Sequence, residues 1–247
     1  MKIGIFSCAT LLAVSAPVSS SEECGHNWVK HNEVNAIVPE PPKSISEKAA
    51  DFFNPSFFWS DGCHSFPAVD EIGRTGSGLN PTGAVDGSCK RSEMGNQTYS
   101  RSGWYREKWA LAYAIYEPKD SSGSGFGTRH QWIYFVIWIN NPEHLENGIE
   151  AVSTWGPEGL EKTLKPREDV MAGEGIKLDY NLMGGNGHFV KLTTLGGCEP
   201  QTLISWTQLP DAARCALNRA RWNGGKVMPL SDDVFVKNLA DAWPFED

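Results

Sequence analysis

Between Lys119 and Ile139 the sequence reads KDSSGSGFGTRHQWIYFVIWI. At its centre Arg129-His130-Gln131-Trp132 crowds a guanidinium, an imidazole, a carboxamide and an indole at one end of a Gly/Ser stretch, with Asp120 at the other. Such a set could ligate a cation through oxygen, move a proton through the imidazole, or hold a sugar against the indole. Proton transfer is the weakest of these, because a histidine just before a buried strand is more often a hydrogen-bonded core residue than a base. A hard cation asks for several charged oxygens. Instead Thr128 and Gln131 offer only neutral oxygen and Ile133 offers none, so Asp120 is the single strong ligand and a divalent cation is not expected.

Elsewhere the sequence carries no G-x-S-x-G elbow, no H-E-x-x-H pair and no G-x-x-x-x-G-K-[ST] loop. The histidines 26, 31, 64, 130, 144 and 188 are scattered, and only His130 lies in a dense polar-aromatic cluster. Helix capping and solvation account for the acid pairs Asp232/Asp233 and Glu143/Glu146 at least as well as glycoside hydrolysis does. The chain has 10 tryptophans, several of which, Trp109 and Trp138 among them, fall in strand patterns where core packing is the simpler role.

The elements that position these residues are read from periodicity. From Tyr105 to Glu117, bulky Trp109, Leu111, Tyr113 and Ile115 alternate with Ala110, Ala112 and Ala114, a period of two that predicts a strand facing a core on its bulky side. After a loop from Pro118 to Gly127, Trp132 to Ile139 is apolar at every position, which predicts a central strand covered on both faces and paired with the first. Ile176 to Thr194 reads as a hairpin turning at Gly-Gly-Asn-Gly. Ser44-Ile45-Ser46-Glu47 is a capping box opening a helix through Phe53. Pro210 to Ala220 predicts a helix with proline at its first position, and Ser231-Asp232-Asp233 is read as the cap of another carrying Val234, Phe235, Leu239 and Trp243. Residues 61–97, rich in Gly, Pro, Ser and Asp, form a long irregular segment that a Cys63–Cys89 disulfide would staple. The fold class expected is β-rich α+β: an antiparallel sandwich with flanking helices.

Lys2, the apolar run Ile3 to Ala16 and the small residues after it predict a secretory signal over 1–20, followed by a single domain over 21–247. Without Lys2 the mature chain has 21 Lys and Arg against 30 Asp and Glu, near −9, which argues against nucleic acid and against nonspecific attraction to anionic lipid. Cys24, Cys63, Cys89, Cys198 and Cys215 then remain, enough for two disulfides and one odd thiol; Cys215 could reach Cys198, leaving Cys24 odd. Asn96-Gln97-Thr98 is a glycosylation sequon, as fits a secreted protein.

The run ALAYAIYEPKD, from Ala110 to Asp120, resembles the undecapeptide AIMYSWYFPKD of the necrosis- and ethylene-inducing peptide 1-like proteins, secreted by plant-associated oomycetes, fungi and bacteria. The run GTRHQWI, Gly127 to Ile133, resembles their heptapeptide GHRHDWE, and DGCHSFPAVD (61–70), GLNPTG (78–83), WTQLPDAARCALN (206–218) and LADAWPF (239–245) are similar to further family segments. The resemblance implies an actinoporin-like sandwich, a type 1 member in which Cys63–Cys89 is the shared disulfide, and an oomycete source. Cytolytic relatives bind a divalent cation that helps dock sphingolipid sugar head groups. Carried onto this chain, the ligand positions are Asp120, Thr128, Gln131 and Ile133, with Trp155 aligning with an assisting histidine, while Arg129, His130 and Trp132 are kept and support the cleft. Within the undecapeptide, Ala112, Ala114, Ile115 and Glu117 replace Met, Ser, Trp and Phe, whereas Tyr113, Tyr116, Pro118 and Lys119 are kept.

The scaffold is thus retained and its charged ligands are lost. The expectation is a secreted, non-enzymatic plant-interaction effector acting in the host apoplast as a monomer, contributing to virulence or seen by an immune receptor, and not cytolytic. Two alternatives stay open: a cytolysin with a rebuilt site, and a secreted sugar-binding protein or carbohydrate-active enzyme.

Overall fold

The computed structural model describes residues 27–123, 125–185 and 187–246, so the expected signal segment and Cys24 lie outside the described residues. In chain order the strands are β1 (Asn27–Val29), β2 (Ser56–Trp59), β3 (Arg74–Gly76), β4 (Thr98–Tyr105), β5 (Lys108–Ser121), β6 (Gly127–Ile139), β7 (Ile149–Gly156), β8 (Gly159–Leu164), β9 (Met171–Ala172), β10 (Gly175–Met183), β11 (Gly187–Leu192), β12 (Glu199–Pro200) and β13 (Leu203–Ser205). The helices are α1 (Ile45–Phe52), α2 (Asp211–Arg219) and α3 (Phe235–Ala242). One sheet runs β13-β4-β5-β6-β7-β8; a second runs β11-β10-β2-β12 with β9 beside β10. Most pairs are antiparallel, as expected, but β13–β4, β2–β10 and the separate β1–β3 pair are parallel.

The two sheets meet through Leu111, Tyr113, Ile115, Ile133, Phe135 and Ile137 on one side and Phe57, Leu178, Tyr180 and Val190 on the other, with Ala49 and Ala50 of α1 and Phe53 just after it in the same core. This is the bulky face the period of two predicts. The alanine face is not exposed, however: Ala110, Ala112 and Ala114 lie beneath a second core containing Trp138, Trp206, Leu217, Trp222, Phe235 and Trp243, to which α2 and α3 contribute. β5 is therefore buried on both faces from Trp109 to Ser121, and alanine is the side chain that lets a layer of indoles and helices approach the sheet closely.

β5 also outlasts its expected end. Pro118 to Ser121 remain in the strand, pairing Lys119 with Arg129 and Asp120 with Thr128, so only 122–126 separate it from β6. Pro118, which has no N–H to donate, and His130, at a φ of +64°, have no partner in the ladder between Glu117–Gln131 and Lys119–Arg129, and the Pro118 carbonyl accepts from the Leu79 N–H at 2.8 Å.

α1 carries its capping box: Glu47 N–H donates to Ser44 Oγ at 3.2 Å and Ser44 N–H to Glu47 Oε2 at 3.0 Å. Pro210 immediately precedes the first residue of α2. Ser231-Asp232-Asp233 does not cap α3, whose N-cap is Val234 with no side-chain bond. Asp232 is diverted, accepting from Arg101 at 2.7 Å and from Asn218 at 2.8 Å, while the Ser231 carbonyl receives the Phe235 N–H at 2.9 Å. Cys63 and Cys89 are disulfide-bonded with Cα atoms 5.0 Å apart. The Cys198–Cys215 pair does not form: Cys198 carries a free thiol, and the Cys215 sulfur is already committed to another disulfide.

Candidate functional site

The mouth of the β5–β6 hairpin sorts its side chains onto two sides. On one, Lys119 is almost fully buried and its Nζ donates to the carbonyls of Ala84 at 2.8 Å and Thr82 at 3.3 Å. Arg129 donates to the carbonyls of Ser77 at 3.0 Å and Gly78 at 3.3 Å and also reaches the Asn80 carboxamide. These two cations satisfy the carbonyls of an irregular segment that has no sheet partner of its own. His130 is buried among Trp28, Tyr116 and Trp222, with Nδ1 2.6 Å from the Tyr116 hydroxyl. Burial, reinforced by the Arg129 guanidinium, pushes its pKa down to about 4, so it is a neutral core group. Trp132 sits between Tyr99, Tyr116 and Trp222.

On the other side, Asp120 is buried and faces β11. Its Oδ1 lies 2.7 Å from His188 Nδ1, and its Oδ2 accepts from the His188 backbone N–H at 3.3 Å. Asp61 Oδ2 lies 4.0 Å from the other ring nitrogen of His188. Thr128 donates its hydroxyl to the His130 carbonyl at 3.4 Å, and Ile133 is part of the inter-sheet core. Gln131 is half-buried opposite Glu117. Glu117 is fully buried and neither carboxylate oxygen finds a hydrogen-bond partner. Burial first, and then the neighbouring Asp120, hold its pKa well above the usual carboxylate range. The same acids surround Tyr180: burial raises its pKa well above the ordinary phenol, and Glu117, Asp120 and Asp61 raise it further.

As a donor set for a hard cation this is poor: one carboxylate with both oxygens engaged, one acid whose ionisation burial opposes, two neutral oxygens and an isoleucine. Among the described residues, no group of three His, Cys, Asp or Glu side chains is arranged to hold a metal ion. Trp155 is not at this mouth. It lies on β7 with its ring 4.2 Å from that of Tyr134, packed on the helical side of the sheet, opposite the face that buries Ile133. The histidine that meets Asp120 is His188, which sequence reasoning left among the scattered ones. Its only local signal was its place at the start of a strand leaving a glycine turn. The acid pairs do not gather into a catalytic pair: Asp232 is held by Arg101, and Glu146 by His144 at 3.2 Å. Asn96 is half-buried, its Oδ1 accepting from the Thr202 N–H at 2.8 Å.

Two packed sheets with helices on one outer face and an acidic hairpin mouth define an actinoporin-like sandwich of the toxin-fold class. The chain belongs to the Necrosis inducing protein (NPP1) family, whose model matches residues 47–242. It is 39% identical to NLP effector protein 2 of Phytophthora capsici, covering 99% of this chain and 100% of that one, and 40% identical to NLP effector protein 3 of the same organism, over 95% and 98%. Among solved structures it is similar to the non-toxic protein HaNLP3 (TM-score 0.83, 35% identity, 88% of this chain and all of that one). It is also similar to NLPPya, solved in complex with mannosamine (TM-score 0.81, 31% identity, 89% of this chain and all of that one).

Proposed function

We propose that this plant-interaction effector is secreted, acts outside the host cell as a monomer without enzymatic turnover, and does not lyse membranes. The observation that carries the reading is the fate of the four ligand positions. Asp120 is the only acid among them, and it is hydrogen-bonded twice to His188, while Ile133 is committed to the core. A hard cation gains little from one compensated carboxylate, and without it the route by which cytolytic relatives engage sphingolipid head groups is not available. The likeness to a non-toxic relative supports the reading. Purified protein added to vesicles containing plant sphingolipids, with and without calcium or magnesium, should release no dye, and infiltrated leaves should show no necrosis beside a cytolytic relative. Cation-dependent leakage at micromolar protein would sink this reading.

A second reading, sugar head-group binding without lysis, is favoured by the mannosamine and glucosamine complexes of NLPPya. Titration with both amino sugars tests it, with Asp120→Asn as the variant expected to lose any affinity.

A further inference from the structure

We infer that His188 supplies, from within the chain, the partner that a bound cation would otherwise provide for Asp120, so that the hairpin mouth is closed internally and the sandwich holds together without a divalent ion. This deepens the non-lytic reading by naming what satisfies its central acid. His188 brings two donors to the two oxygens of one carboxylate, the ring Nδ1 at 2.7 Å and the backbone N–H at 3.3 Å, across 68 positions of sequence. Both side chains are buried, Asp120 at 7% and His188 at 0% exposure. In that setting an unpaired carboxylate is strongly disfavoured and a paired one is tolerated.

The imidazole is not free to swing aside. Its ring lies flat on Tyr180, with centroids 5.1 Å apart and planes within 8°. Behind it runs the backbone of Gly62, where a Cβ would fall 2.7 Å from His188 Nε2; the φ of +77° there also favours glycine. On the carboxylate side, a Cβ on Gly187 would fall 3.0 Å from Asp120 Oδ2. With the imidazole seated between them, these backbone flanks leave no space for the six or more oxygens, waters included, that calcium gathers. Glu117 does not offer a substitute ligand, since its carboxyl is enclosed with no hydrogen-bond donor to stabilise the anion. His188 is thus a positioning residue for Asp120, and the acid is a tie between β5 and β11.

The test is thermal melting and calorimetric titration of the whole protein. The wild type should melt at the same temperature in EDTA, in millimolar calcium and in millimolar magnesium, and should show no saturable heat with either ion. His188→Gln should lower the melting temperature by at least about 6 °C, because it takes the ring donor away from a buried carboxylate. Removing the charge as well, in His188→Gln/Asp120→Asn, should recover part of that loss. Calcium should raise the melting temperature of His188→Gln but not that of the double variant, a response a merely structural role for the ring would not produce. Wild-type calcium binding that disappears in Asp120→Asn would overturn the inference, as would strictly additive losses in the two single variants and their combination. If His188→Gln cannot be purified, the wild-type cation response and its Asp120→Asn control decide alone. Cation-independent leakage from vesicles would overturn the non-lytic reading and leave this one standing, whereas Asp120-dependent calcium binding without leakage would do the reverse.

Discussion

Glu117 stands where the family undecapeptide has phenylalanine, and the core has not adapted to it: the carboxyl is wholly buried and unpartnered. Leaving a buried polar group unsatisfied costs about 1–3 kcal/mol, so Glu117→Met, unbranched and apolar, should stabilise the protein by about that amount in urea melts. The pH dependence separates this residue from His130. Glu117 has a raised folded pKa, so the folded chain keeps a proton that the unfolded chain releases above its ordinary value of 4.5. Its contribution is therefore full below that pH and is lost as pH rises toward the folded value. His130, lowered from 6.5 to about 4, runs the other way: its contribution, about 3 kcal/mol, is present above 6.5 and is lost as pH falls toward 4. Between these limits the two oppose each other. Stability of Glu117→Met measured from pH 4 to 7 should rise more steeply with pH than that of the wild type; an unchanged slope would mean that Glu117 is solvated.

At the scale of the element, β5 is the strand on which both cores rest, alanines toward the helices and aromatics toward the second sheet. Ala114 has no exposed surface, and Ala114→Leu should force the Tyr99 and helix layer outward at a cost of about 1–3 kcal/mol, visible as a lowered denaturant midpoint. The same burial bears on immune recognition. Ala110 to Asp120 is enclosed along its whole length in the folded protein, so a receptor reading that segment would need it released by cleavage or unfolding. The Ser44–Glu47 box shows what local sequence can specify completely, because donor and acceptor lie within one turn. The failed cap at Ser231–Asp233 shows the opposite: Arg101, 131 positions away, claims Asp232.

For the whole molecule, the question is how a long irregular segment stays on a two-sheet scaffold. Lys119 and Arg129 hold its carbonyls, and the Cys63–Cys89 disulfide closes a separation of 26 residues within it. Chain-entropy arguments assign such a crosslink about 3 kcal/mol. Cys63→Ala/Cys89→Ala should lose about that much stability while the sheets persist by circular dichroism; loss of the sheets themselves would show that the segment belongs to the folding core.

Much of this protein was legible in its sequence. Alternation at Trp109–Ile115, the apolar run at Trp132–Ile139, the Gly-Gly-Asn-Gly turn and the two motifs determine the central strands, a hairpin and the family, because each is recorded in residues that are near neighbours along the chain. The loss of charge at 128, 131 and 133 is equally local. Only the tertiary structure decided that the alanine face is covered, that β2 pairs parallel to β10, that Glu117 is sealed in, and that His188 rather than Trp155 meets the acid at the hairpin mouth. Those outcomes depend on which surfaces approach across many tens of residues. Packing sets that approach for the chain as a whole, and no short window of sequence contains it.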